Sequence, residues 1–272
     1  MAAPIDHITS TSNPVVKFLK GLDRKKNRRE HGVFLVEGAR LIQEGLDKGW
    51  GLHTLIAGSA TDSDHVERII ERASRTTARV VTTTPKVLAA VSRKDNPQTV
   101  LAAFEQRELP LPDQQLPDPA RYIALYQVRD PGNLGTILRT ADASGVAGVI
   151  LIDQCCDPYS VECVRATMGS VFSVPFFAVS FDDFSHWRQR YQLRVTAASI
   201  NGVLAHDEVT YGNKSVLMMG NEQSGLPETV EAVCDELIRI PMTGSADSLN
   251  LAQATAIASY QIWKEHGYDG AR

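Results

Sequence analysis

The chain has 272 residues, of which 43% are hydrophobic and 22% are charged, and its formal net charge at pH 7 is −4. Both fractions are ordinary for a globular protein, and the length favours two domains over one because a single core stops growing near this size. No run of about 18 apolar residues predicts a membrane span, and the N-terminus lacks the basic start and apolar stretch of a secretory signal.

The four cysteines (Cys155, Cys156, Cys163 and Cys234) lie in a chain too long to need disulfides for its stability. Reduced thiols and a cytoplasmic location are therefore expected. No two cysteines have the C-x-x-C spacing and no HExxH run occurs, so a metal site is not expected.

Positive charge is concentrated near the N-terminus. Residues 1–120 carry 17 Lys and Arg against 15 Asp and Glu, whereas residues 121–272 carry 11 against 17. Seven basic residues cluster within the first 31 positions: Lys17, Lys20, Arg24, Lys25, Lys26, Arg28 and Arg29. Such a cluster indicates contact with the phosphates of RNA, although a solvated helix face would give the same pattern.

Short apolar runs alternate with amphipathic stretches over the first hundred residues. Strands are predicted at Val33–Val36, Leu52–Ala57 and Arg79–Thr83. Helices are predicted at Gly38–Lys48, Asp62–Ser74 and Pro85–Val91. This alternation predicts an α/β layer structure, and the first thirty or so residues are expected to form a separate basic helical arm.

Four prolines mark a linker between Arg107 and Ala120. Because proline lacks the backbone donor that helices and central strands need, this segment is expected to be extended and exposed. The chain is therefore expected to divide into a smaller N-terminal domain at residues 1–106, a linker at 107–120 and a larger C-terminal domain at 121–272.

The C-terminal part alternates more regularly. Its predicted strands are Tyr122–Val128, Gly148–Ile152, Val174–Ala178, Arg194–Ala198, Ser215–Met219 and Leu237–Ile240. Its predicted helices are Leu134–Ala143, Val161–Met168, Phe181–Tyr191, Pro227–Cys234 and Leu249–Glu265. The strands are continuous apolar runs, which predicts a mostly parallel sheet with helices on both faces. Such sheets bind ligands beyond the carboxyl ends of their strands, so three loops become candidates.

The first candidate loop runs from Asp130 to Gly135. Asn133 is placed to cap the following helix, and Arg139 lies six residues later, on the second turn. Neither GxGxxG nor GxxxxGK[ST] occurs, so a dinucleotide site and a P-loop are disfavoured. Taken alone, helix capping and a surface ion pair explain these two residues without any catalytic role.

The other two loops are equally ambiguous by themselves. In the second, at residues 220–227, two glycines bracket four polar residues, which lets the backbone approach a ligand closely. Ser224 offers an alternative explanation, since it could simply cap the next helix. In the third, at residues 240–250, Ser248 and Asn250 are good caps for the last helix.

Taken together and in this order, the loops contain three specific runs. These are DPGNLGTILRTADASG at residues 130–145, GNEQSGLP at 220–227, and IPM at 240–242 with SLNLAQA at 248–254. They resemble the motifs of the SpoU (TrmH-like) family of RNA 2′-O-ribose methyltransferases. The N-terminal part resembles the substrate-binding domain often attached to this family, through ITS at 8–10, NP at 13–14, FLVEG at 34–38 and PQ at 97–98. The resemblance covers nearly the whole chain.

The resemblance implies a SPOUT-type catalytic domain with a trefoil knot, and a homodimer whose active site is completed across the interface. It implies S-adenosylmethionine as methyl donor, with the backbone of Gly220, Ile240 and Leu249 around the adenosine. It also implies that methyl transfer to a ribose 2′-hydroxyl needs no metal.

The resemblance also gives catalytic roles to five residues. Asn133, Ser248 and Asn250 would orient the ribose and the Arg139 side chain, and Glu222 would hold the second loop or pair with Arg139. Because a guanidinium rarely loses a proton in proteins, two roles stay open for Arg139. It either holds the target phosphate by a forked hydrogen bond or acts as the base after local tuning.

Ribosomal RNA of the 23S type is favoured over transfer RNA, because a separate N-terminal domain with a basic arm resembles the ribosomal enzymes. A catalytically silent RNA-binding protein is the first rival, and the intact motif residues argue against it. A nicotinamide-dependent oxidoreductase is disfavoured by the missing GxGxxG, and a serine hydrolase by the missing GxSxG.

Overall fold

The computed structural model describes residues 5–59, 63–93 and 96–272 of the chain. The chain forms two compact units: unit 1 comprises Met1–Arg107 and Asp157–Phe172, and unit 2 comprises Glu108–Cys156 and Ser173–Arg272. The chain therefore passes from one unit to the other three times. The segment at 157–172 falls within the expected catalytic domain by sequence but packs with unit 1.

Unit 1 contains a five-stranded mixed sheet. Its strands are β1 (Asp6–Ile8), β2 (Val33–Glu37), β3 (Leu52–Gly58), β4 (Arg79–Thr83) and β5 (Val100–Glu105). Their order is β1-β4-β3-β5-β2, with β5 antiparallel to both of its neighbours and the other pairs parallel. The three predicted strands are present, whereas β1 and β5 had not been predicted.

The described part of unit 1 contains six α-helices. They are α1 (Pro14–Gly21), α2 (Lys25–His31), α3 (Ala39–Asp47), α4 (Asp64–Ser74), α5 (Pro85–Ser92) and, from the second segment, α7 (Val161–Ala166). Asp62, where one helix was predicted to begin, lies outside the described residues.

The basic N-terminal segment belongs to the core of unit 1. In α1 and the turn after it, Val16, Leu19 and Leu22 are fully buried and share one cluster with Leu35 of β2 and Val81 of β4. The expectation of a separate arm is therefore wrong. The apolar face of an amphipathic helix has to be covered, and the sheet of unit 1 supplies the covering surface.

Unit 2 contains a seven-stranded sheet. Its strands are β6 (Ala120–Tyr126), β7 (Gly148–Ile152), β8 (Phe176–Val179), β9 (Arg194–Ala198), β10 (Leu204–Ala205), β11 (Lys214–Met219) and β12 (Glu236–Arg239). The order is β10-β12-β9-β11-β6-β7-β8, and every pairing is parallel. All six predicted strands are present, and only the two-residue β10 had been missed.

The helices of unit 2 cover both faces of this sheet. They are α6 (Pro131–Ala143), α8 (Phe181–Tyr191), α9 (Glu228–Glu231) and α10 (Leu251–Glu265). Tyr122 and Ala124 of β6 pack on the α8 side, where Tyr122 meets the ring of Trp187 at 5.1 Å between centroids. Ile123 and Leu125 alternate with them and are buried on the opposite face, where α6 and α10 pack. The expected fold class is confirmed.

The proline-rich segment before β6 contains neither helix nor strand. It is anchored on unit 2, since Leu116 is buried and the carbonyl of Pro112 accepts a 2.8 Å hydrogen bond from the Trp187 indole. Among the described residues, no helix is long and apolar enough to cross a membrane. The trefoil knot implied by the resemblance stays a prediction.

Candidate active site at the carboxyl edge of the parallel sheet

The topology of unit 2 brings the first two loops together. Strands β6 and β11 are paired in parallel, so they end at the same edge of the sheet. The first loop leaves β6 at that edge, and the second loop leaves β11 beside it. The third loop follows β12 and leads into α10, which packs on α6 and shares with it a 2.9 Å hydrogen bond between the Ser144 and Ser259 hydroxyls.

The carboxylate of Glu222 joins the second loop to the first. Its two oxygens accept hydrogen bonds from the backbone amides of Arg129 (3.1 Å) and Asp130 (3.0 Å). One of the same oxygens accepts a third bond, 3.2 Å long, from the side-chain amide of Asn133. A single side chain therefore fixes the start of the first loop.

The electrostatic state of Glu222 follows from these contacts. Partial burial alone raises the pKa of its carboxyl group, but the amides of Arg129 and Asp130 and the side chain of Asn133 donate to the ionised form. The net effect is a pKa below the ordinary value of 4.5. Glu222 is therefore ionised at neutral pH and is held as a hydrogen-bond acceptor.

Asn133 extends the network to the third loop. Its side-chain oxygen accepts a 2.9 Å hydrogen bond from the side-chain nitrogen of Asn250. The side-chain oxygen of Asn250 in turn caps α10 by accepting from the amide of Ala252 at 2.9 Å. Glu222, Asn133 and Asn250 thus form one continuous chain of hydrogen bonds that runs through all three predicted loops.

The structure separates capping from network-forming residues more sharply than the sequence did. The cap of α6 is Asp130, whose side chain accepts a 2.7 Å hydrogen bond from the backbone amide of Asn133. The prediction that Asn133 caps this helix is therefore wrong. Ser224 does not cap α9 either, because it hydrogen-bonds the side chain of Asn221 and α9 is preceded by Pro227. Asn250 is the predicted cap that the structure bears out.

A tight turn shapes the second loop. The backbone of Gly220 lies so close to Gly225 that a Cβ atom at position 220 would stand 2.4 Å from the carbonyl carbon of Gly225. Asn221 and Gly225 exchange two backbone hydrogen bonds, of 2.9 and 3.0 Å. The Asn221 side chain also donates to the carbonyl of Gln127 at 2.8 Å, a second tie to the end of β6.

The third loop presents unengaged backbone at the same edge. Among the described residues, the main-chain groups of residues 241–249 have no hydrogen-bond partner. Ile240 and Leu249 are half-buried, and the side chain of Met242 is 45% exposed. The loop therefore offers backbone donors and acceptors beside apolar side chains. Ser248 is exposed, and within the described chain its hydroxyl has no hydrogen-bond partner.

Arg139 lies outside the network. It is exposed on α6 and, within the part of the chain that the structure describes, has neither a hydrogen bond nor an ion pair. Six residues along a helix place it about 9 Å beyond Asn133 and on a different side of α6. The predicted pairing of Glu222 with Arg139 is not seen; Glu222 holds the loops instead.

The predicted RNA-contacting residues fall into two groups. Six are fully or partly accessible on unit 1: Lys17, Lys20, Arg24, Lys25, Lys26 and Arg29. The seventh, Arg28, is only 3% exposed, and its guanidinium forms an ion pair with Asp157 at 2.5 Å. A buried and paired guanidinium is not available to phosphates, so Arg28 is removed from the candidate RNA-binding surface.

Sequence reasoning missed two side chains that build this site, Asp130 and Asn221. The Asp-Pro pair at the start of a helix is a signal for a cap followed by proline at the first helical position, and it would have identified Asp130. Nearby, burial raises the pKa of the Cys156 thiol to about 12, with the Cys155, Glu222 and Asp130 side chains adding to the effect. That thiol is therefore protonated and unreactive at neutral pH.

Comparison with known proteins decides the family. The family described as SpoU rRNA Methylase matches residues 120–260, just over half of the chain. The chain belongs to the SpoU rRNA methylase family. Residues 13–102 match the MRM3-like substrate binding domain. The resemblance expected from the motifs is therefore confirmed for both the N-terminal and the C-terminal part of the chain.

Three relatives align over nearly the full length. The AdoMet-bound rRNA methyltransferase from Sinorhizobium meliloti is 41% identical, with a TM-score of 0.90 over 96% of this chain and 98% of that chain. The 23S rRNA (guanosine(2553)-2′-O)-methyltransferase RlmP of Bacillus subtilis (strain 168) is 27% identical over 94% of this chain and 98% of its own. The 23S rRNA (uridine(2479)-2′-O)-methyltransferase of Streptomyces viridochromogenes is 30% identical over 95% and 92%.

The turn of the second SpoU motif should not tolerate a side chain at its first glycine. Gly220→Ala places a methyl group against backbone atoms that cannot move aside, and we expect a loss of about 1–3 kcal/mol in the free energy of unfolding, as for other overpacked sites. Urea unfolding measures this. Gly244→Ala, where no atom lies within 4 Å of the added Cβ, is the matched control and should unfold like the parent chain. Equal stability of the two variants would contradict the tight turn.

Proposed function

We propose that the protein transfers a methyl group from S-adenosylmethionine to a ribose 2′-hydroxyl of RNA, most specifically of 23S ribosomal RNA. The observation that carries this proposal is the hydrogen-bonded chain of Glu222, Asn133 and Asn250, which unites the three SpoU motifs at one edge of the sheet. Full-length relatives that methylate 23S rRNA ribose support it. A transfer RNA substrate is the alternative outcome.

The residues present fit S-adenosylmethionine. The unengaged backbone of residues 241–249 offers hydrogen bonds to the polar edge of an adenosine, and the half-buried Ile240 and Leu249 offer apolar contact to its ring. The side-chain-free Gly220 begins the neighbouring loop. When bound, the cofactor supplies an electrophilic methyl group on its sulfonium, so the protein has to align the acceptor hydroxyl.

Arg139 is proposed to position the RNA. Its guanidinium is exposed and has no partner among the described residues, so it is free to hold the phosphate next to the target ribose by a forked hydrogen bond. The exposed Ser248 hydroxyl and the amides of Asn133 and Asn250 are proposed to orient the ribose. Glu222 acts on the reaction by holding the first loop in place.

A homodimer is proposed, with α6 and α10 at its interface. Ile257 and Tyr260 lie three residues apart on α10 and therefore on one helix face, and their side chains are 39% and 43% exposed. Exposed apolar side chains grouped on one face favour burial against another surface. Because α10 packs on α6, this surface lies beside the helix that carries Arg139.

Within the described residues none of the four cysteines forms a disulfide, which supports the proposal that the protein works in the reducing cytoplasm.

Loss of the Arg139 guanidinium should impair catalysis and spare cofactor binding. For Arg139→Ala we expect methyl transfer to fall at least about a hundredfold, the lower range for a lost positioning or acid–base group. Radiolabelled S-adenosylmethionine and 23S rRNA measure transfer, and calorimetry with the cofactor alone measures binding. Arg190→Ala removes an exposed guanidinium from α8 and serves as the control. Near-normal transfer by the Arg139 variant would remove Arg139 from the mechanism.

The same assay separates an enzyme from a silent RNA-binding protein. Cofactor binding and methyl transfer by the unaltered chain are expected. RNA binding without measurable cofactor binding would support the silent protein and overturn the proposed function.

Charge reversal on α2 should weaken RNA binding. Replacing Lys25, Lys26 and Arg29 by Glu removes phosphate contacts, so we expect a lower RNA affinity and a shallower dependence of that affinity on salt concentration. Filter binding across a salt titration measures both, with cofactor binding as the internal control. An unchanged salt dependence would exclude this surface. Arg28 is left intact because its burial makes it part of the fold.

Charge on the exposed face of α10 should disrupt the dimer. The double change Ile257→Lys and Tyr260→Lys is expected to shift sedimentation from dimer to monomer, because unpaired charge is costly to bury in an interface. Gln189→Lys on the exposed face of α8 is the control and should leave the mass unchanged. A monomeric parent chain, or a dimer that resists the double change, would contradict this interface.

A further inference from the structure

The three points at which the chain passes between the units are each anchored by a side chain of unit 1. At Arg107, the Tyr159 hydroxyl accepts from the backbone amide and donates to the carbonyl, both at 2.8 Å. At Phe172, the carbonyl accepts a 3.0 Å hydrogen bond from the Trp50 indole. The third point is Asp157, which is held by Arg28.

Of these three anchors, the Arg28–Asp157 contact is the ion pair, and it is buried. The side chains of Arg28 and Asp157 are 3% and 14% exposed. Both Nε (3.1 Å) and Nη2 (2.5 Å) donate to one carboxylate oxygen of Asp157, and Nη1 donates to the carbonyls of Leu22 and Asp23. A buried pair gains little net stability over apolar side chains of similar size, so stability alone is a weak explanation for it.

On one side of this pair lies the basic surface proposed to bind RNA. Arg28 is the buried residue of α2, and Lys25, Lys26 and Arg29 are the exposed cations of the same helix. The seven-residue helix is short, and the Arg28 guanidinium also holds the turn that precedes it. The exposed cations and the buried Arg28 therefore belong to one short helix that Arg28 anchors.

Along the chain, Asp157 adjoins a residue that is hydrogen-bonded to the segment just before the first SpoU motif. Asp157 follows Cys156, whose backbone amide donates a 2.7 Å hydrogen bond to the carbonyl of Val128. Val128 precedes Arg129 and Asp130, and the amides of these two residues hold the Glu222 carboxylate. The order of contacts is thus α2, Arg28, Asp157, Cys156, Val128 and the loop that Glu222 fixes.

We propose that Arg28 and Asp157 are positioning residues for methyl transfer, which couple RNA docking on α2 to the placement of the first SpoU loop. The inference rests on the proposed function for its catalytic consequence. Neither residue touches the reacting atoms; both act through Val128 and the hydrogen bonds of Glu222. A pair with a purely structural role would lower stability and leave this loop unchanged.

The first experiment compares two carboxylate-to-amide changes in the full-length protein. Asp157→Asn keeps the side-chain size and removes the charge that Arg28 needs, so kcat for 23S rRNA should fall on the order of tenfold, since small misplacements of reacting groups are costly. The Kd for S-adenosylmethionine should change less than about twofold, because no residue of the cofactor loops is altered. Asp47→Asn breaks an exposed ion pair with Arg72 and is the control, with kcat unchanged.

Hydrogen exchange provides a readout that does not depend on activity. Amide exchange at Arg129 and Asp130 should be faster in Asp157→Asn than in the parent chain and unchanged in Asp47→Asn. If Asp157→Asn does not fold, Arg28→Lys replaces it, since lysine keeps the charge but not the forked donors. Unchanged exchange at both amides in a folded variant would overturn the inference.

A double-mutant cycle tests the route. In a Glu222→Gln background the loop is already loosened, so Asp157→Asn should lower kcat further by less than about twofold, as expected for residues that act through one another. A full tenfold loss in both backgrounds would show independent effects and overturn the coupling. Absence of methyl transfer by the parent chain would instead overturn the proposed function, and the exchange measurement would still decide the coupling.

Discussion

The site depends on one carboxylate, whose role is to accept hydrogen bonds from the loop beside it. Glu222 lies at the end of β11 and satisfies two backbone amides at the end of β6, together with the side chain of Asn133. Loops at the edge of a sheet carry unpaired backbone groups and are mobile unless something binds those groups. The ionised carboxylate does so, and the chain of amides from Asn133 to Asn250 passes the constraint on to the third loop.

The parallel sheet makes this constraint possible. Asn133 and Asn250 are 117 positions apart in sequence, and Asn133 and Glu222 are 89 apart. In a parallel sheet all strands end at one edge, so loops from distant parts of the chain become neighbours there. Packing of α10 on α6 completes the arrangement, because Asn250 caps α10 beside the start of α6. Ser248 and residues 241–249 remain accessible at that edge, and Arg139 is exposed further along α6; these are the groups proposed to engage the cofactor and the RNA.

Division into two units explains the different fates of the basic residues. Exposed Lys25, Lys26 and Arg29 keep their charge available on the surface of unit 1. Arg28 is one position away from Arg29, yet it faces the interior, where Asp157 neutralises it. The return of the chain to unit 1 at residues 157–172 supplies that partner. Residues 157–172 lie within the part of the sequence that matches the SpoU methylase family, yet they form part of the unit that contains the substrate-binding match.

The sequence by itself determined most of the element order, the α/β layer character, the parallel sheet and the loops that matter, because apolar periodicity and glycine-rich strand ends are local signals. Its motifs also identified the family. Only the tertiary structure decided that Asp130 caps α6 while Asn133 is free to join the network, that Glu222 holds a loop instead of pairing with Arg139, and that Arg28 is buried. The physical reason is the same in each case: a polar side chain takes the partner that folding brings within hydrogen-bond distance, and neighbours in sequence do not reveal that partner.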